Sequence, residues 1–319
     1  MFFRKKPIFL GPMAGYGDHA FRRICRECGA DVTVTEMVSA KAACFRDHKT
    51  EFLARVDDTE RPCVLQIFGS DADTMARAAR LLEEKYRPDG LDINMGCPAP
   101  QIFQNGDGSA LLRDLSKAEK IVAAVRNVTK LPLSVKFRLG VREGENVAAE
   151  AAERFEAAGA DYLIVHGRYR DQFYGGSADR TAIAAVKQSV SVPVIANGDI
   201  MSVETYADVL RETGADGVMI ARGALGNPHL FTRLQTYKNE GSVLPPMPLR
   251  EKLDVATRHF VYAVEDKGED LAAREMRKHL MFYVKGVRGA SRFKQACAAV
   301  CSLEDWRRLK EDIIRFASL

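Results

Sequence analysis

No apolar run in this sequence approaches the roughly 20 residues a helix needs to cross a bilayer. The opening Met1-Phe2-Phe3-Arg4-Lys5-Lys6-Pro7 has too short an apolar stretch for a secretory leader. The expectation is a soluble, cytoplasmic protein. Low-complexity segments are missing as well, and 46% hydrophobic with 28% charged residues is an ordinary globular balance. The seven cysteines are odd in number and scattered, which excludes a disulfide framework and leaves reduced thiols. Cys25 and Cys28 form a C-x-x-C in a segment of helical character. No second pair stands at zinc-finger spacing, so no metal site is expected. Cys297 and Cys301, four apart on another expected helix, read as core packing. No G-x-G-x-x-G follows any candidate strand, which argues against a Rossmann fold.

Net charge is small, +4, but unevenly placed. From Leu249 to Leu319 there are 15 Lys+Arg against 11 Asp+Glu, so the whole excess lies there and residues 1–248 balance. Between Arg274 and Lys294 stand seven basic residues and one acid. Such a face suits a polyanionic partner. An ordinary solvated helix surface is the alternative reading.

Short, apolar, β-branched runs alternate with helical stretches to about residue 235. Eight candidate strands result: Ile8–Gly11, Val32–Glu36, Cys63–Gly69, Gly90–Ile93, Leu133–Phe137, Tyr162–His166, Val192–Ala196 and Gly217–Ile220. Amphipathic segments such as Asp73–Lys85, Ala118–Asn127 and Val147–Ala158 lie between them. Gly159 and Gly214, each followed by Ala-Asp, read as helix ends leading into strands. Eight β/α units in series imply a closed (β/α)₈ barrel over residues 1–240. A proline-rich connector occupies 241–248. Beyond it the pattern is purely helical, so a small all-helical domain is expected over 249–319.

In a barrel, chemistry belongs to the carboxyl ends of the strands. Those ends carry Pro12-Met13-Ala14-Gly15, Gln66, Asn94 with Cys97, Lys136 with Arg138, and His166 with Arg168. The last two carry Asn197-Gly198-Asp199 and Ala221-Arg222-Gly223. So many polar and glycine-bearing ends favour an enzyme. Loops after strands seven and eight commonly form a phosphate site from glycine N–H groups and a helix start. With Lys136 nearby, the pocket suits a phosphorylated, electron-rich ring such as a flavin, whose edges Gln66 and Asn94 could hydrogen-bond. A phosphorylated sugar is the competing tenant. Cys97, fixed between Gly96 and Pro98, is a thiol that can act as nucleophile, ligand or proton donor.

The stretch Leu91-Asp92-Ile93-Asn94-Met95-Gly96-Cys97-Pro98, through Ile102 to Gly108-Ser109, resembles the signature of the tRNA-dihydrouridine synthases. Thr35-Glu36-Met37-Val38-Ser39-Ala40, Gln66-Ile67-Phe68-Gly69, Val135 to Gly140, Val165 to Arg168, Ala196 to Ile200 and Ala221 to Pro228 agree in order. Arg277-Lys278-His279 agrees in the tail. The resemblance spans nearly the whole chain and is nearest the bacterial B-type branch. It implies FMN in the barrel, NADPH or NADH as reductant, and reduction of the C5–C6 double bond of a uridine in tRNA by a cytoplasmic, monomeric enzyme. It maps FMN contacts onto Pro12, Met13, Ala14, Gln66, Lys136, His166, Asn197, Gly198, Asp199, Ala221 and Arg222, and the catalytic acid onto Cys97. A pKa near 8.5 keeps a free thiol protonated at neutral pH, which suits an acid.

RNA must be held while a base is turned out into the pocket. Arg138, Arg168, Arg274, Arg277, Lys278, Lys285 and Arg288 are the candidates, with Arg292 and Lys294 beside them. Four places depart from the family pattern: Tyr16-Gly17 in place of a Val-Thr type pair, Gln101 for lysine, Tyr169 for threonine and Arg180 for tryptophan. They bear on the RNA rather than the flavin. Three alternatives remain: a dihydroorotate dehydrogenase-type enzyme acting on a free pyrimidine, a synthase acting on rRNA, and an RNA-binding protein that keeps flavin without turnover. The basic tail tells against the first, and Cys97 with Lys136 against the last.

Overall fold

The β-branched runs become parallel strands in the computed structural model, which describes residues 6–45 and 48–317, with only the backbone of 48 and 49. The expected absence of a leader concerns Met1–Lys5, outside the described residues. The strands are β1 (Ile8–Leu10), β2 (Val32–Val34), β3 (Val38–Ser39), β4 (Cys63–Phe68), β5 (Gly90–Met95), β6 (Leu133–Arg138), β7 (Tyr162–His166), β8 (Val194–Asn197) and β9 (Gly217–Ile220). β1 pairs with both β2 and β9, and β2 pairs with β4, so the sheet closes on itself. β3 only prolongs the second barrel strand. The expected (β/α)₈ barrel is therefore the observed fold.

The second strand differs from the expectation of an unbroken Val32–Glu36. Val34 pairs with Val64 and Val38 with Ile67, so four steps on one strand face three on the other. That extra residue is a bulge, which re-aims side chains near barrel rims. The Thr35 hydroxyl fills the gap by accepting the Gln66 N–H at 3.0 Å, and the Glu36 carboxylate turns back to the Gly15 N–H.

Inside the barrel, Phe9, Val32, Val34, Val64, Tyr162, Ile164, Ile195 and Met219 form a closed apolar plug. Alternate strand residues such as Leu91, Ile93, Val135 and Val165 belong to the larger core shared with the outer helices. Towards the carboxyl ends the inward positions turn polar, and this confines the chemistry to one rim. The outer helices begin at side-chain caps, including Asp71, Asp114, Asp179 and Ser202, each accepting a backbone N–H of its first turn. Gly214 ends its helix at φ +64°, in the left-handed region that glycine enters without strain.

Residues 241–248 carry no helix or strand. Four helices follow: Leu249–Lys267, Glu269–Tyr283, Ala290–Ala298 and Leu303–Ala317. The first two pack against the barrel's own helix His19–Glu27. Phe21 meets the rings of His259 and His279, and the Arg23 guanidinium lies 3.5 Å above the Tyr262 ring. The Lys267 ammonium is buried there, 2.6 Å from both Asp18 and Glu275. Trp306 is fully buried in the tail and donates to Thr257 at 2.9 Å.

Cys25 and Cys28 are free thiols in the core. The paired expectation for Cys297 and Cys301 needs correction: Cys297 is buried in its helix, whereas Cys301 lies beyond the helix end and is exposed.

Candidate active site

A cavity of about 390 Å³ opens at the carboxyl ends of the strands, within the ~300–1,000 Å³ range of small-molecule pockets. Cys97 lines it together with Pro12, Met13, Ala14, Gln66, Asn94, Lys136, His166, Asn197, Gly198, Asp199, Ala221 and Arg222. The residues singled out from sequence as thiol and cofactor contacts thus share one wall-to-floor surface.

The floor is a hydrogen-bonded chain across three strands. Asp92, fully buried, accepts from the Ser134 hydroxyl at 2.5 Å and from Gln66 Nε2 at 2.7 Å. Gln66 Oε1 accepts from Asn94 Nδ2 at 2.9 Å. Asn94 Oδ1 then receives the backbone N–H groups of Gly96 at 3.1 Å and Cys97 at 2.9 Å. Burial pushes the Asp92 carboxyl up, against the hydrogen bonds and the nearby Lys136 charge.

Cys97 stands just past the end of β5. Its carbonyl accepts from both the N–H and the hydroxyl of Ser109, at 3.2 and 2.8 Å. A Cβ on Gly108 would come within 3.0 Å of the Cys97 Cβ, and its φ of +60° also demands glycine, so the returning loop is pressed against the thiol. Burial pushes the thiol pKa up, only partly offset by the Ala99 N–H, Arg138 and Lys136. The group is therefore a thiol, not a thiolate, at neutral pH.

The opposite wall is cationic. Lys136 donates to Asn197 Oδ1 at 3.0 Å, while burial and Arg138 lower its pKa. His166 is held neutral by burial and by the cations Lys136, Arg138, Arg168 and Arg222. Its Nε2 lies 3.4 Å from Arg168 Nη1, and an arginine can only donate, so the ring proton resides on Nδ1. Asp199, at φ +53°, receives Arg168 Nη2 at 2.7 Å, the Ala178 N–H at 2.9 Å and Arg222 Nη2 at 3.1 Å. Burial works against its charge, but those donors outweigh it and keep the carboxyl low.

Gly198 and Gly223 form a cradle that no larger residue enters. A Cβ on Gly198 would meet Ala178 Cβ at 2.6 Å, and one on Gly223 would meet the Ile200 carbonyl at 2.2 Å. The Arg222 guanidinium and the Gly223 backbone line the cavity beside it, while the Ala224 N–H of the same turn is given to Ala221 O at 3.0 Å. This donor set fits a phosphate, and the buried lysine with the amide floor fits the carbonyl edge of a planar ring. A phosphorylated flavin matches both halves.

The residues expected to hold RNA are not all placed alike. Arg168 is 1% exposed and gives its donors to Gly175 O, Gly176 O and Asp199. Its donors brace the loop after β7. Arg138 lines the cavity but is 2% exposed, bonding the carbonyls of Gly96, Tyr169 and Phe173. Arg277 is partly buried and donates to Val300 O at 2.7 Å. Arg274, Lys285, Arg288, Arg292 and Lys294 are exposed on the tail. Lys278 reaches the barrel mouth, 5.3 Å above the Tyr16 ring.

Of the departures from the family pattern, only Tyr16 lines the cavity. Gln101 is exposed on a short helix, Tyr169 packs against the core, and Arg180 pairs with Glu212 at 2.9 Å on an outer helix. Sequence reasoning passed over Asp92, Tyr174 and Phe282. A carboxylate inside the apolar run Leu91–Ile93 was a legible signal for the first. Tyr174, between the guanidinium groups of Arg138 and Arg222, and Phe282, from the tail, reach the cavity only through tertiary packing.

A closed parallel barrel with a thiol, a buried lysine and a glycine-lined anion cradle on its carboxyl rim defines a barrel enzyme acting with an anionic ring compound. The family model described as dihydrouridine synthase (Dus) matches residues 9–318, and the chain belongs to that family. It is 37% identical to tRNA-dihydrouridine synthase B of Pseudomonas aeruginosa, over 90% of this chain and 86% of that one. It is 38% identical to a probable tRNA-dihydrouridine synthase 1 of Synechocystis, over 98% and 87%. With a probable tRNA-dihydrouridine synthase of Rickettsia conorii it shares 35% identity over 97% and 92%. Histamine dehydrogenase from Rhizobium sp. 4-9 shares the barrel fold at a TM-score of 0.57 and 15% identity, covering 81% of this chain and 50% of that one.

Proposed function

We propose that this chain reduces the C5–C6 double bond of a uridine in tRNA, with FMN held in the barrel and NADPH as its reductant. A bound flavin supplies the hydride that adds at C6 of the uracil, which the C4 carbonyl makes electrophilic. The remaining chemistry falls to the chain's own residues. Gly198, Gly223 and Arg222 hold the phosphate, and Gln66, Asn94 and Lys136 face the ring. Lys136, a cation in a site of low dielectric, stabilises negative charge that develops beside it. The enolate left on the uracil takes a proton at C5 from the Cys97 thiol. Burial keeps that proton in place until the base is seated.

The observation carrying this reading is that Cys97 lines the same cavity as Lys136 and the glycine cradle. Residues 249–319 are assigned to gripping RNA, with Lys278 at the mouth and Arg274, Lys285 and Arg288 on the exposed face. No helix among the described residues is long and apolar enough to cross a membrane. The test is single-turnover reduction of unmodified tRNA by the pre-reduced, flavin-loaded protein. Formation of dihydrouridine supports the reading, and consumption of NADPH without any reduced RNA base refutes it.

A further inference from the structure

Amide side chains have a donor end and an acceptor end of nearly the same shape, so a chain of them needs something to fix its sense. An ionised carboxylate can only accept, and the Ser134 and Gln66 donors together with the Lys136 charge favour that form of Asp92 against its burial. Asp92, with no solvent exposure, offers both oxygens as acceptors, one to Ser134 and one to Gln66 Nε2. This forces Gln66 to turn its carbonyl towards Asn94, and so forces the Asn94 NH₂ towards Gln66. Asn94 Oδ1 is thereby left facing the N–H groups of Gly96 and Cys97. Reversing any link would set donor against donor at the Cys97 end, where two backbone N–H groups converge on one oxygen.

We propose that Asp92 is a positioning residue, acting through Gln66 and Asn94 to hold the Cys97 backbone, and hence its thiol, at the angle needed to protonate the bound uracil. The role of Cys97 as proton donor is the reading on which this rests. Asp92 itself does not line the cavity and reaches it only through Gln66. Its influence is transmitted through two amides, out to Gln66 on β4 and back to Asn94 on β5.

The test uses flavin-loaded protein carrying Cys301→Ser, because Cys301 is the exposed thiol that would compete with Cys97 for a label. Three rates are compared in Asp92→Ala and Asp92→Asn: NADPH oxidation, dihydrouridine formation from the reduced enzyme, and iodoacetamide labelling of the Cys97 peptide. In Asp92→Ala the expected results are dihydrouridine formation slower by roughly 10- to 100-fold, a clearly smaller loss in NADPH oxidation, and faster Cys97 labelling. Asp92→Asn keeps a carbonyl for Gln66 and is expected to recover dihydrouridine formation to within about threefold. Equal loss in both half-reactions of Asp92→Ala, or no change in either, overturns the proposal. If Asp92→Ala does not fold, Gln66→Met cuts the same chain one link further on. The same rise in Cys97 labelling is expected, and an unchanged rate overturns the inference. Labelling is independent of whether Cys97 is the acid. A Cys97→Ala enzyme with wild-type dihydrouridine formation would sink that separate reading.

Discussion

Lys136 on β6 and Asn197 on β8 are joined by a 3.0 Å hydrogen bond, although 61 residues separate them in the chain. Asn197 is itself fixed by donating to Met219 O on β9 at 2.8 Å. The ammonium is thus aimed by two further strands rather than by its own. Burial and Arg138 lower its pKa, so it loses its proton at lower pH than an ordinary lysine. Flavin reduction by NADPH is expected to be steady at neutral pH and to fall on the alkaline side earlier than ordinary lysine titration would cause. Lys136→Met should abolish that alkaline limb and lower the rate by about 100-fold. Stopped-flow reduction across pH checks both.

Cys97→Ala should retain flavin and the NADPH half-reaction while slowing dihydrouridine formation by roughly 10²- to 10⁴-fold. With the thiol pKa raised by burial, the acid form persists through neutrality, so the RNA step should decline only above the ordinary thiol range. A pH profile of single-turnover dihydrouridine formation reads this directly.

The glycine cradle makes a steric prediction. Gly223→Ala would force a Cβ to 2.2 Å from a backbone carbonyl that cannot move away alone. The variant should purify with little flavin, seen as a reduced 450 nm absorbance relative to protein. Gly175→Ala, which like Gly223 lies outside the left-handed region but has its nearest neighbour at an ordinary 3.4 Å, serves as the control for altered backbone freedom.

Much of this was legible in the chain itself, and the failures share one cause. Strands such as Tyr162–His166 are continuous apolar runs because parallel strands are buried on both faces, and their ends announce the rim. The bulge at Thr35–Met37 was not legible, because it is set by contacts with Gln66 on β4 and Gly15 in the loop after β1. A polar strand end such as Arg168 does not say what its side chain meets. Here it meets the carbonyls of its own loop. Cys301 misled in the opposite direction, since helical spacing from Cys297 continued past the end of the helix.

Tyr16 stands where the family pattern has a smaller residue. Its ring lies edge-on to His279 and Phe282, at 5.4 and 5.9 Å, on the wall shared by barrel and tail. Tyr16→Val should widen the mouth, leave flavin reduction unchanged, and alter the KM for tRNA or the spread of positions modified. Sequencing-based mapping of dihydrouridine distinguishes this from an unchanged pattern, which would make Tyr16 mere packing.

Asp18 and Lys267 lock the tail to the barrel in a buried pair. Burial raises the Asp18 carboxyl, but Lys267, with His279 and His259, overcomes this and holds it far below the usual range. A depressed carboxylate stabilises the fold above its unfolded pKa, about 3.9, and the contribution is lost as pH falls below that. Asp18→Asn should therefore cost on the order of 3 kcal/mol at pH 7, and the difference in Tm from wild type should shrink below about pH 4. Calorimetry at both pH values provides the check.

The central claim is that this barrel reduces uridine in tRNA and that Cys97 supplies the proton. The most direct measurement is position-mapped dihydrouridine in unmodified tRNA and rRNA after incubation with the flavin-loaded protein and NADPH, for wild type and Cys97→Ala together. The account predicts new dihydrouridine at defined tRNA positions with the wild type and almost none with the variant. Product in rRNA alone, no product in either RNA, or equal product from both proteins would contradict it.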